Sequence, residues 1–355
     1  MSVKGRKVLL IGGAGFIGTN LALELARRGA RVAIVDALRV NNLLSLGSEQ
    51  MPAIRRELYT RIVKQRLALL HAAGIPLHPL DARNRSALAR VVARMTPHTV
   101  VQLAAVSHAG RSNQDPGATF DHSLRTLENA LDAARGIAEH FVFFSSSMVY
   151  GNFRSQSVDE DHPLEPIGIY GALKLAGEKM VIAHHQVFGM PYTIVRPSAL
   201  YGPRCIGRRV SQIFIENALE DAALRVEGDG EERLDFTYID DLVDGTCRMI
   251  AAPAARNRIF NLTYGRSRSV AELLGVLKTR FPEVRVEYAA RDRLMPMRGT
   301  LCIDRARELL GYAPQHAIET GMPKYIDWYR RLCGAQTAEH VPPIVSRRPA
   351  LSVAA

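Results

Sequence analysis

The chain has 355 residues, of which 47% are hydrophobic, and a mean hydropathy of -0.04; this is typical of a soluble globular protein, and no apolar run is long enough to span a membrane. Its net charge of +11 is spread along the chain without a block of like charges, so the sequence does not indicate a nucleic-acid module. The four scattered cysteines predict neither a disulfide framework nor a metal site, and the amino terminus lacks a signal-peptide pattern, so we expect a cytoplasmic protein.

Short apolar stretches alternate with helical patterns through the first half of the chain. Residues 7–11 (KVLLI) and 31–36 (RVAIVD) predict two buried strands, and further strands are predicted at 76–80, 99–104, 140–146 and 192–196. Strands that alternate with helices predict an α/β fold with a doubly wound parallel sheet covered by helices on both faces.

A glycine-rich turn connects the first predicted strand to the first predicted helix. The segment GGAGFIG matches a dinucleotide fingerprint at Gly12, Gly15 and Gly18, and it follows a strand and opens a helix, as that fingerprint requires. Glycines allow the backbone to approach a pyrophosphate, and the helix amino terminus offers free N–H groups and the positive end of the helix dipole. The sequence therefore predicts a Rossmann-type nucleotide site.

Asp36 ends the second predicted strand, 18 residues after Gly18. A carboxylate at this position accepts hydrogen bonds from the adenosine ribose hydroxyls and repels a 2′-phosphate. This favours NAD over NADP as the cofactor.

Two regions depart from the regular alternation. Residues 38–72 contain a basic helical stretch, which we interpret as an inserted helix near the adenosine end of the cofactor. After residue 199 the elements become shorter, which predicts an NAD-binding domain at 1–198, with about 240–262 also belonging to its sheet region, a smaller substrate-binding lobe at 199–334 and a flexible tail at 335–355. The elements of this second region are predicted at 224–227, 234–238, 241–251, 258–262, 269–280, 284–289 and 318–332.

Tyr170 and Lys174 lie four positions apart in the helical stretch IYGALKLAGEK. Residues at this spacing share one helix face, and a lysine beside a tyrosine favours the phenolate and lowers its pKa. Taken alone, such a pair is more often an ordinary surface pair than an acid–base device. The serine-rich segment FFSSSMVYG at 143–151 ends a predicted strand, where ligands of open α/β sheets bind, although serines there also cap turns.

Together these segments resemble the extended short-chain dehydrogenase/reductases, in particular the NAD-dependent sugar epimerase/dehydratase family. The similarity extends over about residues 7–332. It is carried, in the order found in the family, by GGAGFIG, Asp36, LDARN (80–84), LAAVS (103–107), SSSMVYG (145–151), Tyr170-x-x-x-Lys174, RPSALYGPR (196–204), LDFTYIDDLVDG (234–245), FNLTYG (260–265) and RGTLCIDRARELLGYAP (298–314).

The resemblance implies a role for each matched residue. Tyr170 would exchange a proton with a substrate hydroxyl, Lys174 would hold the nicotinamide ribose and lower the pKa of the tyrosine, and Ser146 would supply the third catalytic hydroxyl. Cofactor contacts are expected from Gly12, Gly15, Phe16, Ile17, Gly18, Asp36, Asp81, Ala82, Leu103, Ala104, Ala105, Tyr170 and Lys174. Substrate contacts are expected from Ser146, Ser147, Arg204, Arg233 and Arg298.

The residues that follow Ser146 discriminate among the reactions of the family. Family 4,6-dehydratases carry an Asp–Glu pair where this chain has Ser147 and Met148, and neither of these side chains performs acid–base chemistry near neutral pH. A C4 epimerase needs only the Tyr–Lys–Ser set, because the same groups serve oxidation and reduction. The sequence therefore favours a nucleotide-sugar C4 epimerase, with a UDP-sugar as substrate and, by resemblance, a homodimer formed through the helix carrying Tyr170 and that around 118–135.

Three other readings stay open at this stage: a dehydrogenase or reductase with exchangeable NAD(P), an atypical dehydratase, and a redox-sensing binding protein without catalysis. Three positions also depart from the pattern of the family. Ala199 replaces an asparagine that contacts the substrate diphosphate, Leu234 replaces an arginine, and His122 replaces an asparagine expected near the nicotinamide.

Overall fold

The structure, a computed structural model, describes residues 2–46, 53–106 and 109–334. The predicted tail at 335–355 and Ser107 of the LAAVS motif lie outside these ranges. Within them, no helix is long and apolar enough to cross a membrane.

The described ranges contain strands that mostly match the predicted ones to within two residues. They are β1 Lys7–Ile11, β2 Arg31–Asp36, β3 Leu77–Pro79, β4 Thr99–Gln102, β5 His140–Phe144, β6 Ser157–Val158, β7 Tyr192–Arg196, β8 Leu200–Tyr201, β9 Leu224–Glu227, β10 Arg233–Leu234, β11 Thr237–Tyr238, β12 Arg258–Asn261, β13 Arg268–Ser269, β14 Val286–Ala289 and β15 Thr300–Leu301.

The helices of the described ranges follow the same chain order. They are α1 Phe16–Arg27, α2 Ala53–Ala72, α3 Arg85–Met95, α4 Ala109–Gln114, α5 Pro116–Phe120, α6 Thr126–Ala134, α7 Gly168–Phe188, α8 Val210–Leu219, α9 Ile239–Ala251, α10 Val270–Lys278, α11 Asp304–Leu310 and α12 Ile318–Gly334. Short 3-10 turns occupy Leu43–Ser45, Ser147–Tyr150 and Pro253–Ala255, and a π-helical turn occupies Asp121–Arg125.

Among the described residues, seven strands form one parallel sheet in the order β12–β7–β5–β4–β1–β2–β3. Residues 8–11 of β1 are completely buried, which is the reason for an unbroken apolar run in a central strand covered on both faces. This confirms the predicted doubly wound α/β fold. The chain order reverses between β1 and β4, and a crevice outside the carboxyl ends of the strands is expected at that point.

Two apolar layers hold the sheet between its helices. Side chains of α3, α6 and α7 form one layer, whereas α1, α2, α9 and the later helices α10 and α12 share the other. An ion pair between Arg28 and Asp244, at 2.8 Å, also links α1 to α9. The seventh strand, β12, comes from residues 258–261, well beyond the start of the predicted second lobe. The boundary at residues 198 and 199 stays a prediction.

The inserted segment forms one long helix, α2, after the undescribed residues 47–52. Its buried positions are spaced three or four residues apart, as an amphipathic helix requires: Tyr59, Ile62, Val63, Arg66 and Leu70. Tyr59 donates a hydrogen bond to Glu216 of α8 at 2.9 Å, and Arg61 donates one to the carbonyl of Leu332 in α12 at 2.8 Å. The insertion therefore joins the sheet domain to the carboxyl-terminal helices.

Candidate active site

The residues predicted to bind the dinucleotide, apart from Tyr170 and Lys174, line one cleft beyond the carboxyl ends of β1, β2 and β4. These lining residues are Gly12, Gly15, Phe16, Ile17, Gly18, Asp36, Asp81, Ala82, Leu103, Ala104 and Ala105. The structure adds further lining residues, which include Arg39, Asn41, Arg66, His122, Thr126, Cys205, Gly207 and Arg209.

At two positions of the glycine turn, the neighbouring backbone leaves no space for a side chain. At a third position, space remains beside the backbone. Gly12 has φ +80°, and a Cβ on it would lie 2.5 Å from the backbone nitrogen of Ala104. A Cβ on Gly18 would lie 2.5 Å from the Cα of Gly13, so α1 can approach the turn only because residue 18 is a glycine. At Gly15 the nearest atom would be the Gly12 oxygen at 3.5 Å, which leaves space above the amino terminus of α1. This cradle fits the pyrophosphate of NAD.

Asp36 connects the end of β2 to the glycine turn. Its carboxylate accepts hydrogen bonds from the backbone N–H of Leu38 at 2.7 Å and that of Ala14 at 2.9 Å. Burial raises the pKa of Asp36, while these two N–H groups and the charge of Arg66 oppose the rise. Each carboxylate oxygen keeps a lone pair, so Asp36 can still accept a ribose hydroxyl.

Asp81 and His122 both line the cleft. Arg83 binds the Asp81 carboxylate, with its Nη2 at 2.7 Å from Oδ2, and holds the pKa of Asp81 below its usual range. Burial, with the nearby charge of Arg83, lowers the pKa of His122, which lies in the π-helical turn. The structure places His122 in the lining of the cleft, close to Asp81 and Arg83, and its expected position near the nicotinamide stays a prediction.

Tyr170, Lys174 and Ser146 come together where α7 passes the end of β5. Ser146 lies close enough to the Tyr170 hydroxyl to lower its pKa. Ser146 Oγ accepts the N–H of Met148 at 3.2 Å, because Ser146 caps the 3-10 turn that follows. The ammonium of Lys174 lies 5.9 Å from the centre of the Tyr170 ring and donates to the carbonyl of Phe144 at 2.7 Å. Ser147 is buried in the first position of the 3-10 turn.

Burial shifts the pKa values of both Tyr170 and Lys174 in the protein without cofactor. Burial raises the pKa of Tyr170; the groups that oppose this rise are Arg209 and the Ser146 hydroxyl rather than Lys174. Burial also lowers the pKa of Lys174 to about 8, against the charge of Glu178. In the protein without cofactor, burial outweighs the nearby groups that favour the phenolate, and the lowering of the tyrosine pKa by Lys174 stays a prediction.

The three arginines predicted for the substrate go to three different places. Nε of Arg298 is buried without a hydrogen-bond partner among the described residues, and burial, with Arg209 and Arg291 nearby, lowers the pKa of Arg298 to about 10. Arg204 turns towards α1 and donates to Asn20, so its guanidinium does not line the cleft. Arg233 is 47% exposed, donates hydrogen bonds to Ser267 and forms an ion pair with Glu272 at 3.4 Å.

Three arginines of the cleft, Arg39, Arg66 and Arg209, were not assigned to it from the sequence. Arg209 lines the cleft, and its charge acts on both Tyr170 and Arg298. Arg66 reaches the cleft from the inserted helix α2, where it stands on the buried stripe of that helix. A charged residue on an apolar stripe is the signal in the sequence that could have identified Arg66.

Comparisons with known proteins agree with this geometry. Residues 8–263 match the NAD dependent epimerase/dehydratase family. The chain is 28% identical to UDP-glucuronate 4-epimerase 2 of Arabidopsis thaliana over 92% of its own length and 76% of that protein.

Two solved structures represent both kinds of reaction. UDP-glucuronic acid 4-epimerase from Bacillus cereus in complex with NAD is 25% identical with a TM-score of 0.78, covering 94% of this chain and 99% of that one. A double mutant of dTDP-glucose 4,6-dehydratase from Streptomyces venezuelae is 25% identical with a TM-score of 0.81, covering 92% and 98%. The match to the family, which spans most of the chain, shows that this protein belongs to the NAD-dependent epimerase/dehydratase family of the extended short-chain dehydrogenase/reductases.

Proposed function

We propose that this protein is an NAD-dependent nucleotide-sugar C4 epimerase. The observation that carries the proposal is the arrangement around Ser146: a Tyr–Lys–Ser set stands beside the dinucleotide cleft, while the next two side chains, Ser147 and Met148, are buried and hold no carboxyl group. The likeness to UDP-glucuronate 4-epimerases supports a UDP-sugar as the substrate.

In this proposal Tyr170 takes the proton of the 4-hydroxyl and later returns a proton to the same oxygen. Ser146 donates a hydrogen bond to that oxygen, and Lys174 orients the cofactor ribose and supplies positive charge. Bound NAD would supply a reversible acceptor for the hydride of C4, and inversion would follow when the 4-keto sugar turns over in the site before the hydride returns. No proton or hydride is gained or lost over the cycle, so the cofactor is regenerated.

A dehydratase is the second candidate, since a dTDP-glucose 4,6-dehydratase is among the related proteins. Elimination of water requires one group that removes the C5 proton and another that protonates the leaving hydroxyl. A serine hydroxyl and a thioether do neither near neutral pH, so the buried pair Ser147 and Met148 favours epimerisation.

The function is tested without added cofactor. The purified protein is incubated with UDP-glucose, UDP-N-acetylglucosamine, UDP-glucuronate and dTDP-glucose, and the products are followed by NMR and mass spectrometry. We expect a product of unchanged mass with inverted C4. Loss of water would identify a dehydratase instead, and turnover only after addition of NAD would identify a dehydrogenase.

We further propose that Arg298 binds the substrate diphosphate together with Arg209. Arg298→Met is expected to raise KM for the nucleotide sugar by about tenfold to a hundredfold with a smaller change in kcat, because a hydrogen bond to a charged group contributes roughly 1.5–3 kcal/mol. Arg90→Met is the matched control, since Arg90 is an exposed arginine of α3 and is not among the residues that line the cleft. Equal changes in KM for the two variants would contradict this role.

A homodimer is also part of the proposal. Exposed apolar side chains support it near the two helical regions concerned: Phe120 is 45% exposed, and Val187 and Phe188 at the end of α7 are 71% and 46% exposed. Light scattering over a range of concentrations is expected to give twice the chain mass, and the mass of one chain throughout would refute the dimer.

A further inference from the structure

The inserted helix α2 contributes a charged side chain to the cofactor cleft. Arg66 is completely buried and lines the cleft, although it lies outside every motif of the dinucleotide fingerprint. Among the described residues its guanidinium forms no direct ion pair; burial lowers the pKa of Arg66 to about 10, and the charge of Asp36 opposes this shift. A charge buried at such a cost indicates a specific role.

The guanidinium of Arg66 binds two backbone carbonyls from distant segments. Its Nη1 donates to the carbonyl of Asn41 at 3.1 Å, while Nε donates to the carbonyl of Arg204 at 2.9 Å and Nη2 donates to the same oxygen. Asn41 belongs to the segment 37–46 after β2, which we call the cofactor loop. Arg204 belongs to the segment 202–209 before α8, which we call the substrate loop.

Both loops form walls of the same cleft. The cofactor loop contributes Arg39, Val40 and Asn41 to its lining, and the substrate loop contributes Cys205, Gly207 and Arg209. Arg66 therefore connects two segments of the cleft lining through one rigid, planar group. Because Arg209 also acts on Tyr170, the position of the substrate loop matters to the catalytic side chains as well.

The two carbonyls that Arg66 holds belong to residues in the left-handed region. Asn41 has φ +48° and Arg204 has φ +70°, and neither is a glycine. Leu38 and Arg208, in the same two loops, also have positive φ. Such conformations persist only where surrounding contacts impose them. Arg66 supplies such a contact to both loops at once.

We propose that Arg66 is a positioning residue that ties the cofactor loop to the substrate loop and thereby retains NAD in the cleft between turnovers. An enzyme that regenerates its NAD in each cycle gains from slow release, whereas a dehydrogenase must exchange it. The inference rests on the cofactor of the family and does not depend on which sugar is the substrate.

The experiment measures the release of NAD rather than catalysis alone. Arg66→Met and Arg66→Lys are compared with Arg61→Met, which removes another arginine of α2 that also donates to a carbonyl, that of Leu332, away from the cleft. Each protein is purified, its bound NAD is quantified, and the dissociation rate is followed by exchange with isotopically labelled NAD. We also measure hydrogen exchange in both loops, residues 37–46 and 202–209. The last measurement is kcat at saturating NAD.

For Arg66→Met we expect release of NAD to be faster by about tenfold or more, since two carbonyls lose bonds to a charged donor. Hydrogen exchange should rise in both loops, and kcat should change far less than the release rate once NAD is saturating. Arg66→Lys keeps the charge but loses the planar array of donors, so its release rate should fall between those of the wild type and Arg66→Met. Arg61→Met should retain NAD as the wild type does.

The role would be overturned by an Arg66→Lys protein that holds NAD as tightly as the wild type, with both loops equally protected. A release rate raised equally by Arg61→Met would show that the effect is one of α2 stability and would overturn it too. If Arg66→Met fails to fold, the comparison of Arg66→Lys with Arg61→Met decides. If none of the sugars is turned over, the release of NAD and the hydrogen exchange of both loops can still be measured. The two proposals can therefore fail separately.

Discussion

Tyr170→Phe is expected to lower kcat for the nucleotide sugar by about 10²–10⁴-fold, the usual contribution of a positioned general acid–base group. The substitution removes one oxygen and keeps the ring that packs beside Lys174. The Phe variant lacks the hydroxyl that lies near Ser146, while the bond from the N–H of Met148 to Ser146 Oγ is kept. Steady-state kinetics on the substrate identified by the sugar panel measure the loss.

The control for this variant is Tyr288→Phe, which removes the hydroxyl of a 63% exposed tyrosine on β14. It should leave kcat unchanged. Bound NAD should be the same in both variants, so a loss of activity cannot be ascribed to a loss of cofactor. A Tyr170→Phe protein with full turnover would remove Tyr170 from the mechanism and leave the catalytic part of the proposal without its base.

Glu178→Gln is expected to destabilise the fold by about 3–5 kcal/mol, the range found when one partner of a buried ion pair is removed. Glu178 and Arg196 are each 1% exposed and share two hydrogen bonds, of 2.9 and 2.7 Å. Arg196 also donates to the hydroxyl of Tyr150 at 3.0 Å, so the pair is bound to the 3-10 turn that follows Ser146. With the carboxylate gone, Arg196 would keep a buried charge without a counter-ion.

Urea unfolding at saturating NAD measures this change, and Glu165→Gln is its control. Glu165 pairs with Arg154 at the surface, where both side chains are about 60% exposed, so its loss should cost less than about 1 kcal/mol. Similar free energies of unfolding for the two variants would contradict the view that the buried pair is structurally important.

The charge of Glu178 also raises the pKa of Lys174, so Glu178→Gln should lower that pKa further.

The sequence predicted the elements that depend on local pattern. The strands at 7–11 and 31–36 are found at the predicted residues because an unbroken apolar run beside glycine turns suits a strand buried on both faces. The position of Asp36 at the end of β2 follows from the same pattern. Once the sheet order is set, Asp36 and the glycine turn must face one crevice.

The direction of long side chains could not be read in this way. Arg204 and Arg209 lie five positions apart in one loop, yet Arg204 turns to Asn20 of α1 while Arg209 lines the cleft. The difference depends on a left-handed backbone at Arg204 and on helices that come from other parts of the chain. Neither of these features can be recognised as a periodic pattern of residues in the sequence.

By itself, the sequence determined the α/β sheet and the resemblance to a dinucleotide-dependent family, because strand periods and glycine turns are local properties of the backbone. Only the tertiary structure showed that the charge of Arg209, from a loop beyond β8, acts on Tyr170. It also brought Arg66 from an insertion of unknown purpose into the cofactor cleft. Burial and charge act through space, and the distances that govern them exist only when segments far apart in the chain have packed together.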